Sequence, residues 1–298
     1  MTALWFLIFG LSRGINSVYT KKAQSSTSST YRNSIFFVFI YALFQAIFLV
    51  TIPPFKNIPM TMDLLIYPTL FGVFYIISYI MLFYALGTGP TGLTNVIYTF
   101  HSILPMITGI FIWNDKLDLL KTIGIIFAAI SIYLFYQSVK NGDKSKMSVK
   151  WIIYVVAATV AMGIAVIFTQ AFSQRYYDMN KQYLVVYTIT SSIISLVMFL
   201  MTKHKMNRPQ QKDNAMDSPL PMRYYVYVLL AAISQNAVNL LFMYFLNIMP
   251  STVLFPTMNS VNIIVFVLVG KLFFSEKLNR LSFLGICCSI LSLVLLNI

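Results

Sequence analysis

Apolar residues run through this chain in long unbroken stretches, and polar residues gather in the short gaps between them. Ten stretches stand out: Thr2–Thr20, Ser34–Ile52, Leu65–Leu86, Thr91–Trp113, Leu119–Gln137, Val149–Ala171, Tyr183–Met201, Tyr224–Leu246, Ser251–Phe274 and Asn279–Ile298. None alternates with a period of two, so the pattern predicts helices and not strands. Each approaches the ~20 apolar residues that a helix needs to cross ~30 Å of hydrocarbon. In hydrocarbon, backbone N–H and C=O groups must be paired within the chain, which helices accomplish. The expected fold is all-α and integral to a membrane. Of the gaps, Lys21–Asn33 is rich in Ser and Thr, and Lys203–Arg223 is polar and bears proline. Neither has the apolar content to form a domain.

The pattern occurs twice. Gly89–Gly124 has a long apolar run, polar residues at Tyr98 and His101, a charged turn at Asn114–Leu117, and then a second run. Shifted by 161 residues it falls on Pro250–Gly285, pairing Thr91 with Thr252, Gly109 with Gly270, Lys116-Leu117 with Lys277-Leu278 and Gly124 with Gly285. A shift of 149 pairs Gly14-Ile15 with Gly163-Ile164 and Thr20 with Thr169. Repeats precede any fold assignment. Here they divide the chain into residues 1–139 and 140–298, five predicted helices each. An odd number of crossings gives the halves opposite orientation, so ten transmembrane helices in two inverted five-helix repeats are expected. That arrangement is typical of secondary carriers that hold a solute near the midplane.

Composition agrees: 58% of residues are hydrophobic and 10% charged. The net charge of +13 would suggest a nucleic-acid partner on a soluble domain. Here the basic residues lie in short connections, so the expected partners are the lipid bilayer and a small-molecule solute, with no nucleic acid. Most Lys and Arg fall in odd-numbered connections, among them Lys140, Lys144, Lys203, Lys205 and Arg208. By the positive-inside rule this places those connections in the cytoplasm and both termini outside. Cys287 and Cys288 are adjacent in an apolar run and form no disulfide framework. The N-terminus has no basic segment ahead of its apolar run and reads as a retained helix, not a signal peptide.

A few polar side chains interrupt the runs. Arg13 has twelve residues before it, which places it ~18 Å down its helix; Asn16, Ser17 and Thr20 follow on nearby faces. An ionisable group at that depth points to function. The eight acids (Asp63, Asp115, Asp118, Asp143, Asp178, Asp213, Asp217 and Glu276) lie in connections or at helix ends. A carrier of hydrophobic cations would want an acid within the membrane. A buried guanidinium instead favours an anionic or zwitterionic solute with a carboxylate or phosphate to grip. The alternatives for Arg13 are bonds to backbone carbonyls or snorkelling to the interface. Tyr98 and His101 recur as Asn259 and Asn262, and Tyr75 and Tyr79 recur as Gln235 and Asn239. These side chains, with Arg13 and Asn16, are the candidate substrate-binding residues. For each, interhelical hydrogen bonding is the competing reading. Pro105 and Pro256 are expected to kink their helices, and Gly109 and Gly270 to allow close helix contact. His101 and His204 lack metal-ligand spacing, and neither a catalytic residue nor a cofactor is expected.

Two five-helix halves, each with an acidic-basic-Leu turn (Asp115-Lys116-Leu117 and Glu276-Lys277-Leu278) followed by a helix with an early Gly, resemble the drug/metabolite transporter superfamily, EamA type. Gly14-Ile15-Asn16-Ser17-Val18 is similar to the first helix of that family. Asp115 departs from its usual Glu. The resemblance covers the whole chain and implies a ten-helix secondary carrier in the cell (plasma) membrane, moving small solutes without ATP hydrolysis. It also implies termini in the cytoplasm, opposite to the charge distribution, so two topologies stand. Two complete halves make a monomer self-sufficient. The alternative functions are a membrane-embedded enzyme acting on a lipid-linked substrate, or a scaffold or lipid-flipping component.

Overall fold

The computed structural model describes residues 2–28, 30–51, 61–112, 119–141, 148–176, 179–205, 220–248, 251–275 and 279–295. The charged turns 115–117 and 276–278, and every acid except Asp63, lie outside the described residues.

Among the described residues the chain forms helices and no strands. They are α1 (Thr2–Ser25), α2 (Tyr31–Thr51), α3 (Met62–Thr88), α4 (Thr91–Tyr98), a 3-10 turn (Thr99–Ser102), α5 (Ile103–Ile112), α6 (Leu119–Asn141), α7 (Val149–Arg175), α8 (Asn180–Lys205), α9 (Met222–Ile248), α10 (Ser251–Phe274) and α11 (Arg280–Leu295). By length and composition, α2, α3, α7, α8 and α9 are able to cross a membrane. The run of α1 is broken by Arg13, Asn16 and Ser17.

Two expectations need correction. The fourth predicted helix is two α-helices joined by the 3-10 turn, not one helix with a kink. Pro105 has no N–H to give the His101 carbonyl four residues back, and the tighter turn falls at that point. Several helices also outrun their apolar stretches: α1 continues through Lys21 and Lys22 to Ser25, and α8 starts at Asn180 and ends at Lys205. Backbone bonding continues into polar residues, so an apolar run marks hydrocarbon and not the helix end. Two starts are capped by side chains, with Thr61 Oγ1 accepting from Leu64 N and Ser148 Oγ from Trp151 N, each at 3.3 Å.

Large apolar side chains are exposed along the outer faces, including Leu7 and Leu11 on α1, Ile153 and Val160 on α7, Ile193 and Leu200 on α8, and Leu268 on α10. Polar side chains are buried instead: Asn16, Gln45, Ser78, Asn95, Gln235, Asn236, Asn259 and Asn262. This is the distribution of a bundle immersed in lipid. The chain is a multi-pass integral membrane protein.

The helices pack as α1 on α9, α3 on α7, α2 on α8, α4 on α10 and α6 on α11; α1 also meets α10, α7 meets α4 and α5, α3 meets α8, and α2 meets α9. Exchanging each helix of the first half with its counterpart in the second leaves this set of pairs unchanged. Glycines serve equivalent contacts. A Cβ on Gly14 of α1 would lie 3.1 Å from Val265 on α10, and one on Gly163 of α7 would lie 2.8 Å from the His101 carbonyl oxygen. One turn before Gly14, Gly10 faces Val261 in the same way, at 2.8 Å. At Gly10 and Gly163 a side chain would have to displace its neighbour, and at Gly14 it would fit only tightly.

Candidate functional site

The helix pairs enclose a cavity of about 80 Å³ in the bundle. α1 contributes Phe9 and Arg13, and α3 contributes Phe71. The 3-10 turn supplies His101. α7 gives Met162, Val166 and Thr169, and α8 gives Tyr183, Leu184 and Tyr187. α9 and α10 complete the wall with Gln235, Asn239, Phe242, Met243, Met258, Asn259 and Asn262. Both halves therefore share one wall. Asp63 at the start of α3 accepts a 2.7 Å bond from the Tyr176 hydroxyl just after α7, so those ends lie together. Phe71 and Tyr183 are early in α3 and α8, which displaces the cavity toward that end of the bundle.

Of the candidate residues read from sequence, Arg13, His101, Gln235, Asn239, Asn259 and Asn262 line this cavity. Asn16, Tyr75, Tyr79 and Tyr98 stand behind its wall. Asn16 Nδ2 donates to the Tyr41 hydroxyl at 2.8 Å and the Ala231 carbonyl at 2.9 Å, tying α1 to α2 and α9. The Tyr41 and Tyr79 hydroxyls are 3.3 Å apart. Ser78 Oγ donates to the Ala158 carbonyl at 2.8 Å, so at 3.0 Å it accepts from Tyr98. In each case the hydrogen bonds run between helices.

Arg13 is half-buried, with its guanidinium 5.6 Å from the Phe9 ring centre. Its Nε is buried without a hydrogen-bond partner. Asp63, the one acid among the described residues, faces Tyr176 and, at 3.9 Å, Arg175; it gives Arg13 no counter-ion. His101 Nδ1 is 2.7 Å from the Tyr98 carbonyl. A carbonyl only accepts, so Nδ1 carries the hydrogen, and a neutral ring leaves Nε2 as an acceptor.

Tyr187, which sequence reasoning passed over, is the hub of the wall. Gln235 Nε2 donates to Asn239 Oδ1 at 2.9 Å, Asn239 Nδ2 to the Tyr187 hydroxyl at 2.6 Å, Tyr187 to Gln45 Oε1 at 3.2 Å, and Gln45 Nε2 to the Tyr75 hydroxyl at 3.0 Å. The available signal was spacing: Tyr183 and Tyr187 stand four apart in the seventh run, as Tyr75 and Tyr79 do in the third. Met162 was also missed. The shift that pairs Gly14 with Gly163 pairs Arg13 with Met162, and both reach the cavity.

Helices with apolar outer faces surround a cavity lined by phenylalanine, methionine and aliphatic side chains together with amides, phenols and the Arg13 guanidinium, and define a polytopic membrane protein. The sequence profile of the EamA-like transporter family matches residues 1–137 and again residues 149–298. The chain belongs to that family, whose members are membrane transporters of small solutes and not enzymes. No curated protein matches it. A solved crystal structure with 11% sequence identity superposes with a TM-score of 0.57 over 97% of this chain and 96% of the other; the two share a fold.

Proposed function

We propose that the protein is a secondary carrier of the plasma membrane that moves an anionic or zwitterionic metabolite by alternating access around this cavity. The observation that carries this reading is Arg13, a cation at the cavity wall whose Nε is unpartnered. A permanent positive charge in a site of low dielectric repels cations and attracts a carboxylate or phosphate. Ten spans in two inverted halves supply the mechanism: rocking one half against the other exposes the shared wall to each side in turn. The packing that survives exchange of the halves supports this arrangement. At about 80 Å³ the cavity is smaller than the ~300–1,000 Å³ of small-molecule sites, so the wall must open to admit a solute.

The test is uptake into proteoliposomes of labelled amino acids, sugar phosphates and nucleotide-linked sugars. At least one anionic solute should be transported. Arg13→Gln should lower its transport more than tenfold, while Arg13→Lys keeps part of it. Equal transport by wild type and Arg13→Gln would sink the proposal.

A further inference from the structure

We infer that the solute combines an anionic group with an N–H or O–H donor, the anion placed at Arg13 and the donor at the carbonyl oxygens of Gln235 and Asn262. This rests on the carrier reading above and narrows its solute.

Three of the cavity's amide nitrogens each make a hydrogen bond within the protein: Gln235 Nε2 to Asn239, Asn239 Nδ2 to Tyr187, and Asn259 Nδ2 to Ser102. Two of its amide oxygens make none. Gln235 is 2% exposed and Asn262 4%, yet Gln235 Oε1 and Asn262 Oδ1 are buried without a partner. Buried acceptors without partners are rare and costly in native proteins. The wall thus offers one cation and two unmet carbonyl oxygens. A simple cation would be repelled by Arg13. A simple anion would meet Arg13 but leave the carbonyls unmet and face their negative ends. A solute carrying both functions satisfies both.

Tyr187 is the positioning residue. Its hydroxyl accepts from Asn239 and donates to Gln45, which sets the direction of the whole chain. The direction fixes which end of the Gln235 amide is spent on Asn239 and which is left for the solute. Without that hydroxyl the amide has no reason to keep Oε1 free.

The experiment titrates purified protein in detergent with two matched pairs, reading apparent affinity from the thermal unfolding shift. Leucine is set against 4-methylpentanoate, which lacks the ammonium. Phosphoethanolamine is set against ethyl phosphate, which lacks it too. Within whichever pair binds, the donor-bearing member should bind at least about tenfold tighter, and Arg13→Gln should abolish the binding of both members. The pair that binds separates a carboxylate site from a phosphate site. In Tyr187→Phe, checked for a monodisperse elution profile, the preference within the pair should fall to about twofold or less, whatever the change in absolute affinity of the two members. Equal affinity within the pair overturns the donor requirement and leaves the anion carrier standing. Full preference in Tyr187→Phe overturns the positioning role. If neither pair gives an Arg13-dependent shift, the anion reading falls with the inference.

Discussion

Arg13 and Asn16 are three residues apart on α1 and serve different ends. Arg13 reaches the cavity, while Asn16 spends its amide hydrogens on Tyr41 and Ala231. Interhelical bonds of this kind contribute ~0.6 kcal/mol each on average. Asn16→Ala should therefore lower stability by about 1 kcal/mol, seen as a reduced Tm in detergent. That polar residues in these runs matter was legible in the sequence. Which of them face the cavity was not, because residues three apart differ little in direction and a tyrosine hydroxyl reaches across a helix interface. At the end of the bundle, the Tyr176 phenol is held above its ordinary pKa because its hydroxyl donates to the Asp63 carboxylate. A raised pKa in the folded state means the contact is intact below the ordinary phenol value of ~10 and is lost as pH rises through the higher folded value. The alkaline fall in Tm should accordingly shrink in Tyr176→Phe; an unchanged profile would refute the link.

At the scale of helices, the 3-10 turn is where the fourth segment departs from its repeat-mate. α10 runs as one helix through Asn259 and Asn262, while Tyr98 and His101 flank or occupy a tighter turn. Gly163 presses against that turn. A methyl group there would lie 2.8 Å from both the His101 carbonyl oxygen and Leu104 Cβ, and backbone cannot move aside as a side-chain tip can. Gly163→Ala should cost ~1–3 kcal/mol, the usual range for overpacking, read from thermal unfolding. That the chain is built from long apolar helices could be read from apolar runs alone, whereas the turn could not: Pro105 signals a break somewhere nearby, but a kink and a 3-10 turn answer it equally well. The ends of α1 and α8 were missed for a related reason, since lipid limits hydrophobicity and not helicity.

For the molecule as a whole, the decisive question is how the halves face. In a background with Cys287 and Cys288 replaced by Ser, single cysteines at Ser28 and Met179 sit in repeat-related connections, after α1 and after α7. Inverted halves require that they react with an impermeant thiol reagent from opposite sides of the membrane; labelling from one side means parallel halves. In intact cells the same pair chooses between the two topologies. Ser28→Cys is protected if the distribution of Lys and Arg governs, and reactive if the termini are cytoplasmic. The duplication was legible because glycines and turns keep their spacing. The cavity's composition was legible only in part, because repeat-mates need not keep their chemistry.

Arg13 and Met162 show what that divergence does. They occupy equivalent places in the two halves, one a guanidinium and the other a thioether, and both touch the same small space. On the proposed reading, a head-and-tail molecule entering it lies with its head to α1 and its tail to α7. The main helix pairs survive exchange of the halves, but the chemistry at this place does not. If the protein works as the proposed carrier, it would hold its passenger in a fixed polarity throughout the cycle, presenting the charged end to one half and the apolar end to the other whichever side is open.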